Sequence, residues 1–217
     1  MNTNQKLSAR QQSIIPIAAF TANGDLEKLK PALEEGLAAG LTVNEIKEIL
    51  VHLYTYAGFP RSLNGINTFM ALLKERQEQG IEDEIGKEAS PLPTDMDRDE
   101  YGANVRAKLA GWETIPPPGG YQLFAPIIDT FLKEHLFADI FARDVLDFQS
   151  RELVTISALA SMTGTAGQLY FHLGAAMNTG LSEAQIHEFT AVLKAEVGQQ
   201  EAEGATAVFN QVLSSRA

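Results

Sequence analysis

The feature that most constrains this chain is an internal repeat, in which a glycine followed by a capped helix occurs twice. GLTVNEIKEI begins at Gly40, and GLSEAQIHEF begins 140 residues later at Gly180. Each glycine is predicted to end a helix, because glycine enters the left-handed backbone conformation without a Cβ penalty. Thr42 and Ser182 follow, each three residues before a glutamate or glutamine, which is the spacing of a capping box. The chain therefore contains two copies of one unit, in which a helix ends at a glycine and a capped helix follows.

Apolar residues around both units recur at helical spacing, as Ile66, Phe69 and Leu72 do in the first copy. No segment alternates apolar and polar residues over the length that a half-buried strand needs. The predicted fold class is therefore all-α, made of two tandem helical repeats. The predicted helices span residues 8–22, 25–39, 43–56, 60–79, 97–110, 121–135, 150–161, 166–178, 183–197 and 199–214.

A change in composition separates the two copies. The segment GKEASPLPTDMDRDEYG at 86–102 is rich in proline and charge, which is typical of a linker. Three consecutive prolines and two glycines in WETIPPPGGY at 112–121 exclude a helix there. We therefore predict a first repeat over residues 1–85, and a linker with the second repeat over residues 86–217. Only the second copy has an additional helical segment before its repeat.

Composition excludes several classes of function. With 217 residues the chain can bury a substantial core, and its formal net charge of −11 argues against a nucleic-acid partner. The absence of cysteine excludes thiol catalysis, thiolate metal sites and disulfides. The amino terminus lacks a signal-peptide core, and no apolar run is long enough to span a membrane. These features predict a cytoplasmic protein without a membrane partner.

Several motifs resemble the carboxymuconolactone decarboxylase family, which is related in fold to the alkylhydroperoxidase D-like enzymes. They are LVHLYTYAGFPRSLNGI at 50–66, MDRDEYGANVRAKLAG at 96–111, FADIFARDVLDFQSRELVTISALA at 137–160 and FHLGAAMNTGLS at 171–182. The resemblance covers nearly the whole chain as two tandem copies. Single-copy relatives form rings of six, so the resemblance implies that three two-copy chains form a pseudo-hexameric homotrimer. Each repeat is expected to bury its remaining apolar face against a neighbour.

The resemblance also implies which residues are functional. The peroxidase branch of the family uses a glutamate, a Cys-x-x-Cys pair and a histidine, and its cysteine positions fall on Thr165 and Gln168 here. With no cysteine in the chain, thiol peroxidase activity is excluded. The family's histidine falls on His172 and its glutamate on Glu152, so these two are the predicted catalytic residues.

The chemistry of the two side chains agrees with that assignment. Histidine titrates near neutrality and can both accept and donate a proton, and a carboxylate can orient the imidazole and stabilise its charged form. An antiparallel helical hairpin would bring Glu152 to His172. The alternative is a histidine that is hydrogen-bonded in a helix interface without a catalytic role.

The first copy lacks this pair, because its equivalent positions hold Gln11 or Gln12 and Ala32. It retains a histidine, a tyrosine and an AGFP turn that the second copy lacks. This complementary loss predicts one composite pocket with His172 from the second copy and HLYTYAGFP from the first. The alternative is drift of a scaffold that no longer catalyses a reaction. His52, Tyr56 and Phe59 are spaced i, i+4 and i+7, so they are expected on one helix face. They are the predicted substrate-binding residues of the first copy.

Arg61 and Arg143 are the candidate clamps for a substrate carboxylate, because the guanidinium fork binds carboxylates in a bidentate manner. A surface ion pair is the alternative role of each arginine. The chain has no HExxH, Glu-x-x-His or EF-hand motif and no phosphate-binding glycine loop, so we predict neither a metal nor a cofactor. The predicted function is a cofactor-free lyase or isomerase acting on a small carboxylated lactone or ring acid. The alternative is a catalytically inactive ligand-binding or structural member of the family.

Overall fold

A computed structural model describes residues 6–216, and this part of the chain is helical without any β-strand. Eleven α-helices, α1 to α11, are joined by turns, one linker and two π-helical segments. The α-helices are α1 (Ala9–Asn23), α2 (Leu26–Ala38), α3 (Val43–His52), α4 (Tyr54–Glu78), α5 (Arg98–Ala110), α6 (Tyr121–Phe124), α7 (Pro126–Thr130), α8 (Phe148–Ala160), α9 (Ala166–Asn178), α10 (Glu183–Val192) and α11 (Gln199–Arg216). The π-helical segments are Phe131–Ile140 and Leu193–Val197. The all-α prediction is confirmed.

Both predicted capping boxes are present. Thr42 caps α3 and Ser182 caps α10, and in each case the hydroxyl and the third helical side chain satisfy backbone donors reciprocally. Gly40 and Gly180 have φ angles of 92° and 110°, in the left-handed region that ends the preceding helix. Because α1, α2 and α3 recur as α8, α9 and α10 about 140 residues later, the repeat is present in three dimensions.

The two repeats share one apolar core. The first helix of each copy, α1 and α8, pack extensively against one another. The core that they form contains Ile15 and Ile17 from the first copy and Leu153 and Ile156 from the second, all fully buried. Neither repeat therefore closes its core alone, since the face left open by one copy is covered by the other. We retain 1–85 and 86–217 as proposed repeat boundaries within this single core.

A second, smaller apolar cluster lies over α9. It is formed by α5 and the π-helical segment Phe131–Ile140, which pack closely enough that Gly102 touches the backbone of Lys133. A side chain at position 102 would meet that backbone, which accounts for the glycine. Arg106 donates a hydrogen bond of 2.6 Å to Asp129 and fixes α7 against α5. Tyr56 and Phe171 contact this cluster, so it covers the region where the two copies meet.

Three helix boundaries differ from the sequence prediction. The helix predicted over 43–56 ends at His52, and α4 begins two residues later and is broken at Gly58, whose φ and ψ are 81° and 161°. The helix predicted over 121–135 is interrupted at Ala125 between α6 and α7, and from Phe131 to Ile140 it continues in π-helical form. The helix predicted over 183–197 changes to π-helical form at Leu193. Within the described residues, no helix combines the length and the apolar character needed to cross a bilayer.

Candidate functional site

The hairpin of α8 and α9 brings the two predicted catalytic residues together. Asp147 caps the start of α8 by accepting a hydrogen bond from the Ser150 amide, so Glu152 lies in the first turns of that helix. His172 lies in the middle of α9, and its Nδ1 is 2.8 Å from Glu152 Oε2. Glu152 is fully buried, and His172 is 5% exposed. The carboxylate is an acceptor, so in the neutral tautomer that this contact selects, Nδ1 carries the proton and Nε2 the lone pair.

The first copy contributes two of the predicted residues to the same place. The Tyr56 ring packs edge-on against His172, with ring centroids 5.3 Å apart, and His52 lies 5.3 Å from Tyr56 on its other side. Phe171 contacts His172 edge-on from the second copy, with centroids 5.1 Å apart. The structure therefore brings Tyr56 of the first copy against His172 of the second within a single chain, and a composite pocket stays a prediction.

His52 is fixed as a neutral imidazole by its hydrogen bonds. Its Nδ1 is 3.2 Å from Arg151 Nη1, and a guanidinium only donates, so Nδ1 must be the acceptor. The ring proton is then on Nε2, which lies 2.9 Å from Thr155 Oγ1. Thr155 in turn donates to the Arg151 carbonyl at 2.9 Å. Both ring nitrogens of His52 therefore form hydrogen bonds. Of the two imidazoles, that of His172 has a ring nitrogen, Nε2, that forms none within the described chain.

An ion-pair network of Glu48, Arg143 and Arg151 contacts His52 through Arg151. Glu48 of α3 is 2% exposed and accepts hydrogen bonds from Arg151 at 2.7 Å and from Arg143 at 2.9–3.0 Å. Arg151 is completely buried, and its Nη2 also donates to the Arg143 carbonyl at 2.5 Å. Sequence reasoning missed Glu48, Arg151 and Thr155. The only available signal was that Arg151 and Glu152 are charged residues inside an otherwise apolar helix.

Burial and charge shift the pKa values of the residues around His172. Burial, together with the positive charge of Arg151, lowers the pKa of His52 well below its ordinary value of 6.5. Burial and the negative charge of Glu152 raise the pKa of the Tyr56 phenol above its ordinary value. Burial lowers the pKa of Arg151, against the effect of Glu48. At neutral pH the network therefore contains a neutral His52 and a protonated phenol.

Several buried polar atoms of the site have no partner among residues 6–216. The Tyr56 hydroxyl lies near Thr155 without forming a hydrogen bond of good geometry, and Glu152 Oε1 and Arg151 Nε are enclosed without a partner. His172 Nε2 makes no hydrogen bond within the described chain either, although it is not one of these enclosed atoms. Buried polar atoms are normally paired, and those left unpaired at a concentrated group of ionisable residues indicate a place for a ligand or a water molecule. A donor, two acceptors and a buried guanidinium N–H are thus available at one place.

Two predicted substrate-binding residues lie outside this cluster. Phe59 is 63% exposed and stacks on Tyr54, with ring centroids 4.6 Å apart. The prediction that it shares a helix face with His52 and Tyr56 was wrong, because the non-helical backbone at Gly58 breaks the helical register before position 59. The guanidinium of Arg61 lies against Gly24, where it occupies the space that a side chain would need. The structure therefore does not bring Arg61 to the pair.

Arg143 is close to the network but already has a carboxylate partner. Its Nε and Nη2 form the bidentate contact with Glu48, which is the geometry that a substrate carboxylate would otherwise take. Arg143 also lines an open cavity of about 610 Å³ together with Lys108 and Phe148. Phe141 forms another wall of this cavity and packs edge-on against His52. The fork of Arg143 is occupied by an internal ion pair.

The fold and the site define a class of protein, an all-helical tandem repeat with a buried glutamate–histidine pair where its copies meet. The model of the carboxymuconolactone decarboxylase family matches residues 1–69 and 128–211. This match spans more than half of the chain, and the protein belongs to that family. A comparison with curated proteins finds none that matches the chain. This member of the family contains no cysteine.

Proposed function

We propose that this protein is a cofactor-free acid–base enzyme, a lyase or isomerase that acts on a small carboxylated lactone or a related ring acid. The observation that carries the proposal is the buried contact of 2.8 Å between His172 Nδ1 and Glu152 Oε2, which leaves His172 Nε2 without a partner. Membership of the carboxymuconolactone decarboxylase family supports the same chemistry. No metal or cofactor enters the proposed reaction.

His172 is the proposed proton-transfer residue. Its Nε2 lone pair accepts a proton from the substrate, and the same nitrogen returns the proton at a later step. The Glu152 carboxylate holds Nδ1–H and stabilises the imidazolium that forms in between, as the acid of a catalytic triad does. The edge-on rings of Tyr56 and Phe171 hold the imidazole in one orientation.

Tyr56 is the proposed donor to the oxygen on which negative charge develops. Its hydroxyl is buried without a partner, and its raised pKa keeps the proton on the phenol throughout the physiological range. A preorganised donor stabilises a developing enolate more than water would, because it does not reorient during the reaction. This role replaces the more general substrate-binding role that the sequence predicts for Tyr56, and His52 is proposed to position Tyr56 instead of contacting the substrate.

The test of the proposal is turnover of lactone acids by the purified protein. γ-Carboxymuconolactone and related lactones are incubated with the protein, and CO₂ release and the ultraviolet spectrum are followed. We expect turnover that is lost in His172→Gln and kept in His187→Gln, because His187 is an exposed histidine on α10. Binding of these compounds by the unmodified protein without turnover would contradict the proposal. That result would favour an inactive ligand-binding or structural member of the family.

We also propose that three chains assemble into a homotrimer with pseudo-sixfold symmetry. A set of large apolar side chains is exposed on α6, α7 and the π-helical segment that follows. They are Leu123, Phe124, Ile127 and Phe131, of which Phe124 is 92% exposed. Exposed apolar patches of this kind are typical of protein interfaces. Light scattering at micromolar concentration should give three times the chain mass, and a stable monomer would contradict the trimer.

A cytoplasmic location stays a prediction from the sequence.

A further inference from the structure

Lys108 is a second cation on the open cavity of about 610 Å³ that Arg143 lines. It lies in the last turn of α5, which belongs to the helical segment that only the second copy has. Its Nζ lies 4.8 Å from the centroid of the Phe148 ring, and it forms no ion pair within residues 6–216. A cation–π contact positions an ammonium group without using its hydrogen-bond donors, so Lys108 keeps its N–H groups for a ligand.

Arg143 also keeps one nitrogen for a ligand in this cavity. Its Nε and Nη2 hold Glu48, whereas Nη1 donates no hydrogen bond to the described part of the chain. The Arg143 side chain is 38% exposed, so a ligand in the cavity can reach it. A carboxylate can therefore accept a hydrogen bond from Nη1 while Glu48 stays in place.

The charges around the cavity leave one positive charge without a counter-ion. The charged residues that line the cavity, taken with their ion-pair partners, are four cations and three carboxylates: Lys87, Lys108, Arg143 and Arg151, and Glu48, Asp144 and Asp147. The two carboxylates that line the cavity already have donors, since Asp144 accepts from the Ser90 amide at 2.8 Å and Asp147 caps α8. The cavity therefore suits a ligand with a single negative charge.

The apolar walls of the cavity suit a planar ring. Phe141 and Phe148 both line it and meet edge-to-face, with ring centroids 5.5 Å apart, and Leu146 lines it as well. Aromatic side chains contact planar rings in offset-stacked or edge-to-face arrangements. Cavities of several hundred Å³ with apolar walls and a few polar groups are typical of small-molecule sites.

This cavity is separate from the glutamate–histidine pair. Its lining includes none of Tyr56, Glu152 and His172. The Phe141 ring is 2% exposed and lies between the cavity and His52, with its centroid 5.5 Å from that of the imidazole. A ligand in the cavity therefore contacts a set of residues that the proposed reaction does not use.

We infer that this cavity is a second ligand site, which binds a planar ring carrying one carboxylate. Lys108 and Arg143 Nη1 bind the carboxylate, and the side chains of Phe141 and Phe148 contact the ring of the ligand. Binding at this site does not require turnover at the glutamate–histidine pair.

The experiment measures the binding of three small probes to the full chain by isothermal titration calorimetry. Benzoate has the ring and the charge, benzamide has the same ring without the charge, and acetate has the charge without the ring. We expect benzoate to bind about tenfold or more tightly than either, because benzamide lacks the charged hydrogen bonds and acetate lacks the ring contacts.

Variants of Lys108 assign the binding to this cavity. Lys108→Gln should weaken benzoate binding by about fivefold, the loss expected for an exposed ion pair, and leave benzamide binding unchanged. Lys108→Arg keeps the charge and should keep the affinity. Lys194→Gln is the matched control and should bind benzoate normally, because Lys194 is an exposed lysine on another cavity, whose lining has no aromatic residue.

Three results would overturn the inference. One is the absence of benzoate binding at millimolar concentration, and another is equal binding of benzoate and either of the other two probes. The third is a benzoate affinity that is unchanged in Lys108→Gln, and its loss in His172→Gln instead would assign the binding to the glutamate–histidine pair. The proposed function is tested independently, by turnover of the lactone acids.

Discussion

Two regions of this molecule have the same backbone arrangement and different chemistry. In one, α8 and α9 of the second copy face α3 of the first, and in the other, α1 and α2 of the first copy face α10 of the second. Positions 140 residues apart correspond, so Glu48 has its counterpart in Glu188. Glu48 binds two guanidiniums, whereas Glu188 accepts hydrogen bonds from the Leu7 amide and from the Gln12 side chain.

The second region lacks the glutamate–histidine pair. Gln12 lies at the position that corresponds to Glu152, and Ala32 lies at the position that corresponds to His172. A cavity of about 470 Å³ remains there, and Glu196 at the position of Tyr56 lines it. The comparison teaches that the repeat places a carboxylate at both junctions, Glu48 in one and Glu188 in the other, and that the histidine–glutamate pair and the phenol are present at one of them.

The largest expected effect is the loss of turnover in His172→Gln. A general acid–base group contributes on the order of 10²–10⁴-fold in rate, and glutamine has no nitrogen that titrates near neutrality. The turnover rate of the lactone acids should fall by that factor while the circular dichroism spectrum is unchanged. Should the substitution leave the rate intact and chiefly lower the melting temperature, His172 is a packing residue and the two regions do not differ in function.

The two corresponding glutamates should differ in their effect on stability. Glu48→Gln leaves a buried guanidinium without its carboxylate, and breaking a buried ion pair costs about 3–5 kcal/mol of unfolding free energy. Glu188→Gln removes a charge whose partners are an amide and a side-chain amide, for which about 1 kcal/mol is expected. Urea unfolding followed by circular dichroism measures both. Equal losses in the two variants would show that the regions are energetically alike.

Glu152→Gln should slow the reaction less than His172→Gln does. The glutamine oxygen can still accept the hydrogen bond from Nδ1–H, but the charge that stabilises the imidazolium is gone. A hydrogen bond to a charged group contributes about 1.5–3 kcal/mol, which corresponds to a rate loss of about 10- to 150-fold. Gln12→Glu, the reverse change in the other region, should leave the rate unchanged. A rate loss in Glu152→Gln equal to that in His172→Gln would mean that orientation by Glu152 is indispensable.

The smallest expected effect is a change in the pH dependence of stability at His52. Its pKa is lowered in the folded state, so between that value and about 6.5 the unfolded chain binds a proton that the folded chain does not. The free energy of unfolding therefore falls with falling pH, by at most about 1.4 kcal/mol per pH unit from this residue. His52→Gln can keep the bonds to Arg151 and Thr155, and it should remove this contribution. His187→Gln should not, and an unchanged slope in His52→Gln would contradict the neutral buried state.

The sequence was sufficient for the features that depend on local spacing. The capping boxes at Thr42 and Ser182 are visible within four residues each. Glu152 and His172 were instead identified from the family resemblance, and the sequence left open whether a hairpin brings them into contact. Glu48 and Arg151 were beyond reach, because they are 103 residues apart and only packing of α3 against α8 makes them partners. Long-range ion pairs leave no spacing pattern in a chain.

The misplaced Phe59 has a local cause that sequence periodicity ignores. An i+7 relation holds only while the backbone stays helical, and Gly58 adopts a conformation that other residues rarely do. The π-helical continuation of Phe131–Ile140 was missed for a related reason, since the apolar pattern there fits a helix without fixing its hydrogen-bond register. In both cases tertiary packing selects a backbone that the residue pattern leaves open.

The most direct test of a single composite site compares one residue of each copy at the same repeat position. Tyr56 from the first copy is proposed to act on the reaction of His172 in the second, and Glu196 occupies its place in the other region. Removing a donor to a developing oxyanion costs about 10²–10³-fold in rate. The turnover rate of the lactone acids should therefore fall by that factor in Tyr56→Phe and stay unchanged in Glu196→Gln. An unchanged rate in Tyr56→Phe would contradict a site built from both copies.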